Sequence, residues 1–520
     1  MIAIQMSKDD FVYDVQGLCK SFYPDMQIEM VNWNEGNSKG EFEITICVCM
    51  EKEYVEVSFD GEGKKLSKRL LVTEDGRRAY KNVLKKSLYQ VLSQATGKKL
   101  PWGTLTGVRP TKLLMERLEM GETKEQIEEY MEQHYFCSKE KIDLGYTISE
   151  KERNILKEID HKNGYSLYIG IPFCPTRCAY CSFPSYPMEN FGELMDAYLQ
   201  ALYKEIDYVA SKSWKPKLST VYVGGGTPTT LSSEQLRALL RKIKQAFPMD
   251  QVVEFTVEAG RPDSITKEKL EAMKEEGVTR ISINPQTMND MTLEKIGREH
   301  SVEQVKEAYW MARSMGFDNI NMDLILGLPG ETPEDVAVTL EQVEELEPDS
   351  LTAHSLVLKR AARLNVDWVN EENGRKRKGE ESARSVYGVE GETGSMSGLM
   401  ESFAKSHGYE PYYMYRQKNA TGTDSDSREN IGYSKRGKEC IYNILIMEEK
   451  QTILALGAGA SSKFLLPSGK KLIERVENVK SITDYISRID EMIARKEQFW
   501  QEHKEAFQMC ETESMHGNGV

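Results

Sequence analysis

The sequence predicts an α/β protein: a partial (βα)6 barrel or open sheet, preceded by an α+β domain and followed by an accessory domain. Three observations carry this. Between residues 166 and 358 a β-rich apolar run followed by an amphipathic charged stretch recurs six times, which is βα alternation. The first 150 residues follow a different grammar. At 520 residues the chain exceeds a single domain of about 150.

Residues 1–150 read as a helix-like start, then alternating runs EFEITICVCM (41–50) and EYVEVSFD (53–60) that form a hairpin, then helices. LPWGTLTGVRPTKLL (100–114) has the Gly and Pro punctuation of an ordered turn before a helix and suggests no chemistry. Within 160–360 the strands are SLYIGIP (166–172), STVYVGGGTP (219–228), VVEFTVEA (252–259), RISINP (280–285), NINMDLILGLP (319–329) and SLTAHSLVL (350–358), all expected to run parallel. Helices are expected over 232–247, 266–277 and 332–348, started by Ser232, Thr266 and Thr332 and stopped by Gly277 and Pro348. Six units are too few for a closed eight-stranded barrel, and chemistry belongs at the C-terminal ends of the strands. Residues 361–400, with the basic run 375–378 among acidic neighbours and GETGSMSG at 391–398, read as a solvated connector. Ordered patterning returns over 401–500, and 501–520 reads as a tail.

Composition narrows the function. Hydrophobic residues are 39% and charged residues 29%, the balance of a globular protein with a sizeable core. No apolar run reaches membrane-spanning length, and MIAIQMSKDDFVYD lacks the apolar core of an export signal, so a cytoplasmic protein is expected. A net charge of −14 disfavours nucleic acid. Nine cysteines are too dilute for a disulfide scaffold, so a cysteine cluster should mean metal or redox chemistry.

Such a cluster follows the first strand. IPFCPTRCAYCSF places Cys174, Cys178 and Cys181 in a C-x3-C-x2-C spacing on one loop. Structural zinc takes four protein ligands, and no fourth cysteine or histidine is nearby. A four-iron cluster held by three thiolates leaves one iron open to a small molecule. The loop resembles the signature of the radical S-adenosylmethionine (radical SAM) superfamily. That resemblance implies a radical SAM partial barrel and a [4Fe-4S] cluster whose free iron chelates the amino and carboxylate groups of S-adenosyl-L-methionine. VGGGTPT (223–229) ends the second strand and lets a ligand approach Gly224, Gly225 and Gly226 closely, without the spacing of a dinucleotide fingerprint. Glu258 ends the third strand, where it reads either as a ribose ligand or as a capping carboxylate.

From about 165 to 465 the chain resembles the oxygen-independent coproporphyrinogen III oxidases (coproporphyrinogen dehydrogenases), most of all their HemZ-type branch. The matching pieces, in order, are YIGIPFC, GGGTPT, Glu258, NPQT, GRE, DLILGLPGET, TAHSL and LGAGASS. The resemblance implies that Tyr168, Gly225 and Glu258 contact the first S-adenosylmethionine. It places Tyr180, Gly226, Thr227, Gln286, Arg298, Asp323 and Ala353 around a second one in the substrate cavity. Without it, Arg298 and Asp323 read as an ion pair and Gln286 as a strand-end cap. The implied reaction belongs to porphyrin and heme biosynthesis. An electron cleaves the cosubstrate, a 5′-deoxyadenosyl radical takes a hydrogen from a propionate of coproporphyrinogen III, and loss of carbon dioxide and a second electron leaves a vinyl group. A flavodoxin or ferredoxin type electron donor, a monomer and a HemN-like C-terminal domain are implied as well. Basic residues should meet the substrate carboxylates; Arg298 is one candidate, whereas Lys359, Arg360 and Arg363 read more readily as linker.

Departures keep other readings open. Phe183 stands where the well-studied oxidases have a further cysteine, and Gly170 where they have histidine. A related branch is the HemW-type heme chaperone, marked by His-Asn-x-x-Tyr-Trp; here the stretch is Tyr442-Asn443-Ile444-Leu445-Ile446-Met447, which lacks the histidine, tyrosine and tryptophan. That favours the oxidase, with a radical enzyme on another carboxylated substrate as the third reading. Cys47 and Cys49, two apart on a strand, read as core packing; Cys19, Cys137, Cys440 and Cys510 have no metal-ligand spacing. His354 either approaches the cavity or is structural.

Overall fold

The computed structural model describes residues 1–24, 26–33, 42–212, 217–357, 393–417, 429–466 and 472–516. Lys359, Arg360, Arg363 and the run 375–378 lie outside the described residues. The chain divides into two compact units, Met1–Glu150 with Met414–Glu429, and Lys151–Tyr413 with Asn430–Val520.

The first unit is built on a five-stranded sheet of β1 (Ile2–Met6), β2 (Ile28–Val31), β3 (Ile44–Met50), β4 (Tyr54–Gly61) and β5 (Lys64–Leu71), in the order β2-β1-β3-β4-β5. The chain therefore opens with a buried strand and not a helix. β1 is parallel to both neighbours, and β3, β4 and β5 form an antiparallel meander. In β3 the period-two alternation turns Ile44, Ile46, Val48 and Met50 inward. They join Val55, Val57 and Phe59 against Leu18, Phe22, Leu84 and Leu88 of the helices Val12–Phe22 and Arg77–Thr96. The parity corrects the expectation for Cys47 and Cys49, which fall on the opposite, half-buried face, with Cys47 Sγ donating to Gln5 Oε1 at 3.3 Å. β5, lysine-rich and largely exposed, forms the sheet edge, a sequence that discourages pairing with another chain. Its hairpin with β4 turns on Glu62 and Gly63, both at positive φ (51° and 72°), the mirror-image turn that suits strand twist. Trp102 is buried and its Nε1 donates to Glu429 Oε1 at 2.5 Å. At Gly103 a Cβ would lie 1.8 Å from Tyr135 O, so the turn before helix Thr111–Glu119 accepts only glycine.

In the second unit all six expected strands form: β6 (Gly164–Ile171), then, past the two-residue strands β7 (Phe173–Cys174) and β8 (Tyr186–Pro187), β9 (Lys217–Gly225), β10 (Glu254–Gly260), β11 (Arg280–Ile283), β12 (Ile320–Leu326) and β13 (Ser350–Ser355). They lie side by side in chain order and every pair is parallel. Their residues are buried almost throughout, as helices on the faces of a parallel sheet require. Ser232, Ser301 and Thr332 form reciprocal capping boxes with Gln235, Gln304 and Asp335, and Thr266 accepts from the Lys269 amide. Glu347, just before Pro348, ends the last of these helices in the left-handed conformation.

β14 (Glu410–Arg416), β15 (Glu429–Ser434), β16 (Thr452–Leu456), β17 (Ser461–Leu466) and β18 (Leu472–Glu477) extend the sheet to eleven strands, in the order β14-β15-β13-β12-β11-β10-β9-β6-β16-β17-β18. β16 runs parallel to β6 and β15 antiparallel to β13. Residues 393–400, read as connector, form the first half of helix Thr393–Ser406, and helix Ile489–His516 runs well into the expected tail. Among the described residues no helix is long and apolar enough to cross a membrane.

Candidate active site at the cysteine loop

The loop that leaves β6 is pinned at several points. Gly226 and Thr227 donate their amides to Ile171 O (2.8 Å) and Phe173 O (2.7 Å), fixing the loop's start against the end of β9. The Ala179 amide donates to Ile296 O at 2.9 Å. Arg261 Nη1 donates to Thr176 O (3.2 Å) and Thr176 Oγ1 (2.6 Å), while its Nε binds Asp263. Cys174, Cys178 and Cys181 are free, half-buried thiols on this frame. Thr227 Oγ1 donates to Cys174 Sγ at 3.6 Å. Burial pushes the Cys174 and Cys181 thiols up, against the opposing Thr227 hydroxyl and Phe183 amide, so a metal must displace their protons. Among the described residues no three His, Cys, Asp or Glu side chains close on a single metal ion. A four-iron cube, whose thiolates sit on separate irons, fits three cysteines spread along one loop and a hydroxyl aimed at one sulfur.

Beside the loop the three glycines are sterically required. A Cβ on Gly224 would lie 2.7 Å from Glu258 Cδ, and one on Gly226 2.5 Å from Phe173 O; Gly225 holds φ +112° under the Tyr168 hydroxyl. Glu258 accepts from Tyr222 Oη (2.5 Å) and the Gly225 amide (3.1 Å). Burial nevertheless holds its carboxyl above the ordinary range. Tyr168 and Tyr222 stand in register on β6 and β9, and Tyr442 completes a ring stack, 4.5 Å from Tyr222 and 6.3 Å from Tyr168. Tyr442 is fixed from β10: Glu254 accepts the Ile441 and Tyr442 amides (2.7 and 3.2 Å) at the start of helix Ile441–Glu448.

Further along the edge, Arg298 donates to Tyr180 Oη (3.1 Å) and Asn284 O (2.8 Å). Asp323 has different partners, Asn321 Nδ2 at 2.8 Å and His354 Nε2 at 3.8 Å, so the Arg298–Asp323 ion pair is replaced by two separate sets of contacts. Burial raises the Asp323 carboxyl, but His354, Asn321 and Thr352 outweigh it and hold it below its usual value. Asn430 Oδ1 accepts the Ser355 amide, which turns its Nδ2 onto His354 Nδ1 at 3.0 Å, while His354 Nε2 faces Asp323 at 3.8 Å. Gln286 bridges β12 as a strand-end cap, its amide donating to Asp323 O and its carbonyl accepting from Ile325, at φ 71°. Ala353 and Thr227 are buried.

Sequence reasoning missed Tyr222, Arg261, Asn430 and Tyr198, whose hydroxyl donates to Gly170 O at 2.6 Å. Tyr222 was accessible from period two, since it shares a strand face with Gly224. The others act through long-range contacts.

The family model for the Radical SAM superfamily matches residues 168–343. The oxygen-independent coproporphyrinogen-III oxidase-like protein HemZ of Bacillus subtilis (strain 168) is 37% identical over 96% of this chain and 98% of that protein. The chain belongs to this HemZ-type radical SAM family. HemZ-type and other radical SAM proteins use a [4Fe-4S] cluster and S-adenosylmethionine. The heme chaperone HemW of the same organism is 41% identical to the HemZ-type chain, over 37% of this chain and 50% of that protein. The fold also matches the solved coproporphyrinogen III oxidase HemN from Escherichia coli, with TM-score 0.50 and 23% identity over 66% of this chain and 73% of that one.

Proposed function

We propose that the chain catalyses oxygen-independent oxidative decarboxylation of coproporphyrinogen III propionates to vinyl groups, as a coproporphyrinogen dehydrogenase. Cys174, Cys178 and Cys181 hold the cluster; Tyr168, Gly225 and Glu258 hold the first S-adenosylmethionine. Tyr180, Gly226, Thr227, Gln286, Arg298, Asp323 and Ala353 line the space for a second one or for substrate. The bound cluster and cosubstrate supply a 5′-deoxyadenosyl radical for hydrogen abstraction. The residues here orient and enclose. Glu258, presented by Tyr222 and the Gly225 amide, accepts hydrogen bonds from ribose hydroxyls. The side-chain-free Gly224–Gly226 edge admits the cosubstrate against backbone. Arg298, buried and held by Tyr180, supplies a fixed cation for a carboxylate. Asp323, kept ionised by His354 and Asn321, supplies a fixed acceptor.

The observation that carries dehydrogenase over chaperone is Tyr442. It stands where the HemW-type branch has histidine, and its ring is buried in the Tyr168–Tyr222 stack, so that position offers no axial heme ligand. The similarity to heme chaperones keeps heme binding as the second reading. Reconstituted protein in anaerobic assay should form protoporphyrinogen IX and 5′-deoxyadenosine together. Stoichiometric heme binding without turnover would replace the proposal by the chaperone. Cosubstrate cleavage that leaves coproporphyrinogen III untouched would point to another carboxylated substrate. Cys178→Ala should abolish iron loading, read as iron per chain.

A further inference from the structure

The end of β6 is held from outside the cysteine loop as well. Along helix Met195–Ala210, Tyr198 and Glu205 stand seven residues apart, two turns on one face, and both are wholly buried. β16 pairs with β6 only as far as Ile169, opposite Leu456, and then turns at Gly457, φ 103°. One residue beyond that ladder the Tyr198 hydroxyl bridges the two chains: it accepts the Ala458 amide at 3.1 Å and donates to Gly170 O at 2.6 Å. A phenol has one proton and an amide can only donate, so that proton is committed to Gly170 O. Burial pushes the hydroxyl's pKa well above its usual value and keeps the proton in place.

The turn that carries Ala458 is clamped in its own right. Gly457 donates its amide to Glu205 Oε2 (2.9 Å) and accepts at its carbonyl from Asn478 Nδ2 (2.9 Å), and a Cβ on it would lie 2.6 Å from both Gly170 O and Tyr198 Oη. Lys496 Nζ, 2.7 Å from Glu205 Oε1, supplies the charge that lets this carboxylate stay buried. Tyr168 stands two residues before Gly170 on the same strand face, half-buried, its Cε1 3.4 Å from where a Gly170 Cβ would be. The Tyr198 ring, meanwhile, packs edge-on against Phe173, next to Cys174, with 5.4 Å between centroids. Ring and hydroxyl thus act on different neighbours: the ring supports the cysteine loop, and the hydroxyl supports the strand end that carries Tyr168.

We propose that Tyr198 is a positioning residue for the cosubstrate, its hydroxyl setting the Gly170 carbonyl and with it the pose in which Tyr168 meets S-adenosylmethionine. The proposal rests on the contact of Tyr168 with the first S-adenosylmethionine and not on which substrate is oxidised. The test compares cluster-loaded wild type with Tyr198→Phe, Tyr485→Phe and Tyr168→Ala. It reads iron per chain, melting temperature, and S-adenosylmethionine affinity from the change the cosubstrate makes in the electron paramagnetic resonance spectrum of the reduced cluster. Tyr198→Phe keeps the ring against Phe173, so iron loading should stay at the wild-type level while the cosubstrate binds about fivefold more weakly, the scale of one lost hydrogen bond. Tyr485→Phe removes a buried hydroxyl bonded to Glu205 and not to Gly170; it should lower the melting temperature and leave that affinity unchanged. Equal weakening in both would make the effect one of general packing and overturn the proposal, as would iron loss or wild-type affinity in Tyr198→Phe. Tyr168→Ala separates the two readings. Unaltered affinity there removes the Tyr168 contact and the proposal with it, whereas weakening there beside an unaffected Tyr198→Phe overturns the role of Tyr198 alone.

Discussion

A methyl group on Gly226 would sit 2.5 Å from Phe173 O and 2.9 Å from Ile171 O, both backbone atoms at the root of the cysteine loop. Gly226→Ala must displace that loop, at an overpacking cost of about 1–3 kcal/mol. Iron content and cosubstrate cleavage should fall together; full iron loading at normal stability would contradict the steric account. Glu258 tests the electrostatics. Because burial holds its carboxyl above the ordinary value of 4.5, the folded protein retains a proton there that the unfolded chain releases. Its contribution to stability is therefore complete below the unfolded pKa and lost as pH rises through the folded one. Melting temperatures from pH 4.5 upward should show ligand-free wild type losing ground to Glu258→Gln; a constant difference would contradict the raised carboxyl.

Among elements, the helices of the βα series are begun by their own side chains. Ser232 accepts from the Gln235 amide, and Gln235 returns the bond to the Ser232 amide at 3.0 Å. Ser232→Ala removes half of this box and should cost about 1 kcal/mol, visible as a lower denaturant midpoint with an unchanged slope. These signals are local, so helix starts were legible in the sequence. The six parallel strands were legible for another reason: burial on both faces calls for apolar residues without strict alternation, as in the LYIGI stretch of β6. β5 was not, because an exposed edge needs lysines where a strand template seeks apolar residues. Nor was the face taken by Cys47 and Cys49, since a shift of one residue reverses an alternating strand.

At the scale of the whole second unit, the candidate site residues stand out in the sequence where they sit in a motif on one loop or strand end. Their partners were hidden because chain distance separates them: Tyr442 reaches the Tyr168–Tyr222 pair, and Asn430 holds the His354 ring at 3.0 Å. The same holds for a buried network. Lys496 Nζ lies 2.7 Å from Glu205 Oε1, both essentially inaccessible, and Asn478 and Tyr485 bind the same carboxylate. Glu205 also accepts the Gly457 amide at 2.9 Å, which ties helix Ile489–His516 to the turn after β16. Lys496→Met leaves that carboxylate without its cation and should cost about 3–5 kcal/mol. Thermal unfolding of Lys496→Met alongside Glu205→Gln with Lys496→Met checks this; the double change should recover part of the loss.

The pairing of β16 with β6 has a bearing on biogenesis. Ribosomes release the thiol-bearing segment long before Thr452–Leu456, the ribbon that flanks its root, has been translated. Chains truncated before Thr452 test whether that flank sets the loop: if it does, they should emerge with less iron than the full chain.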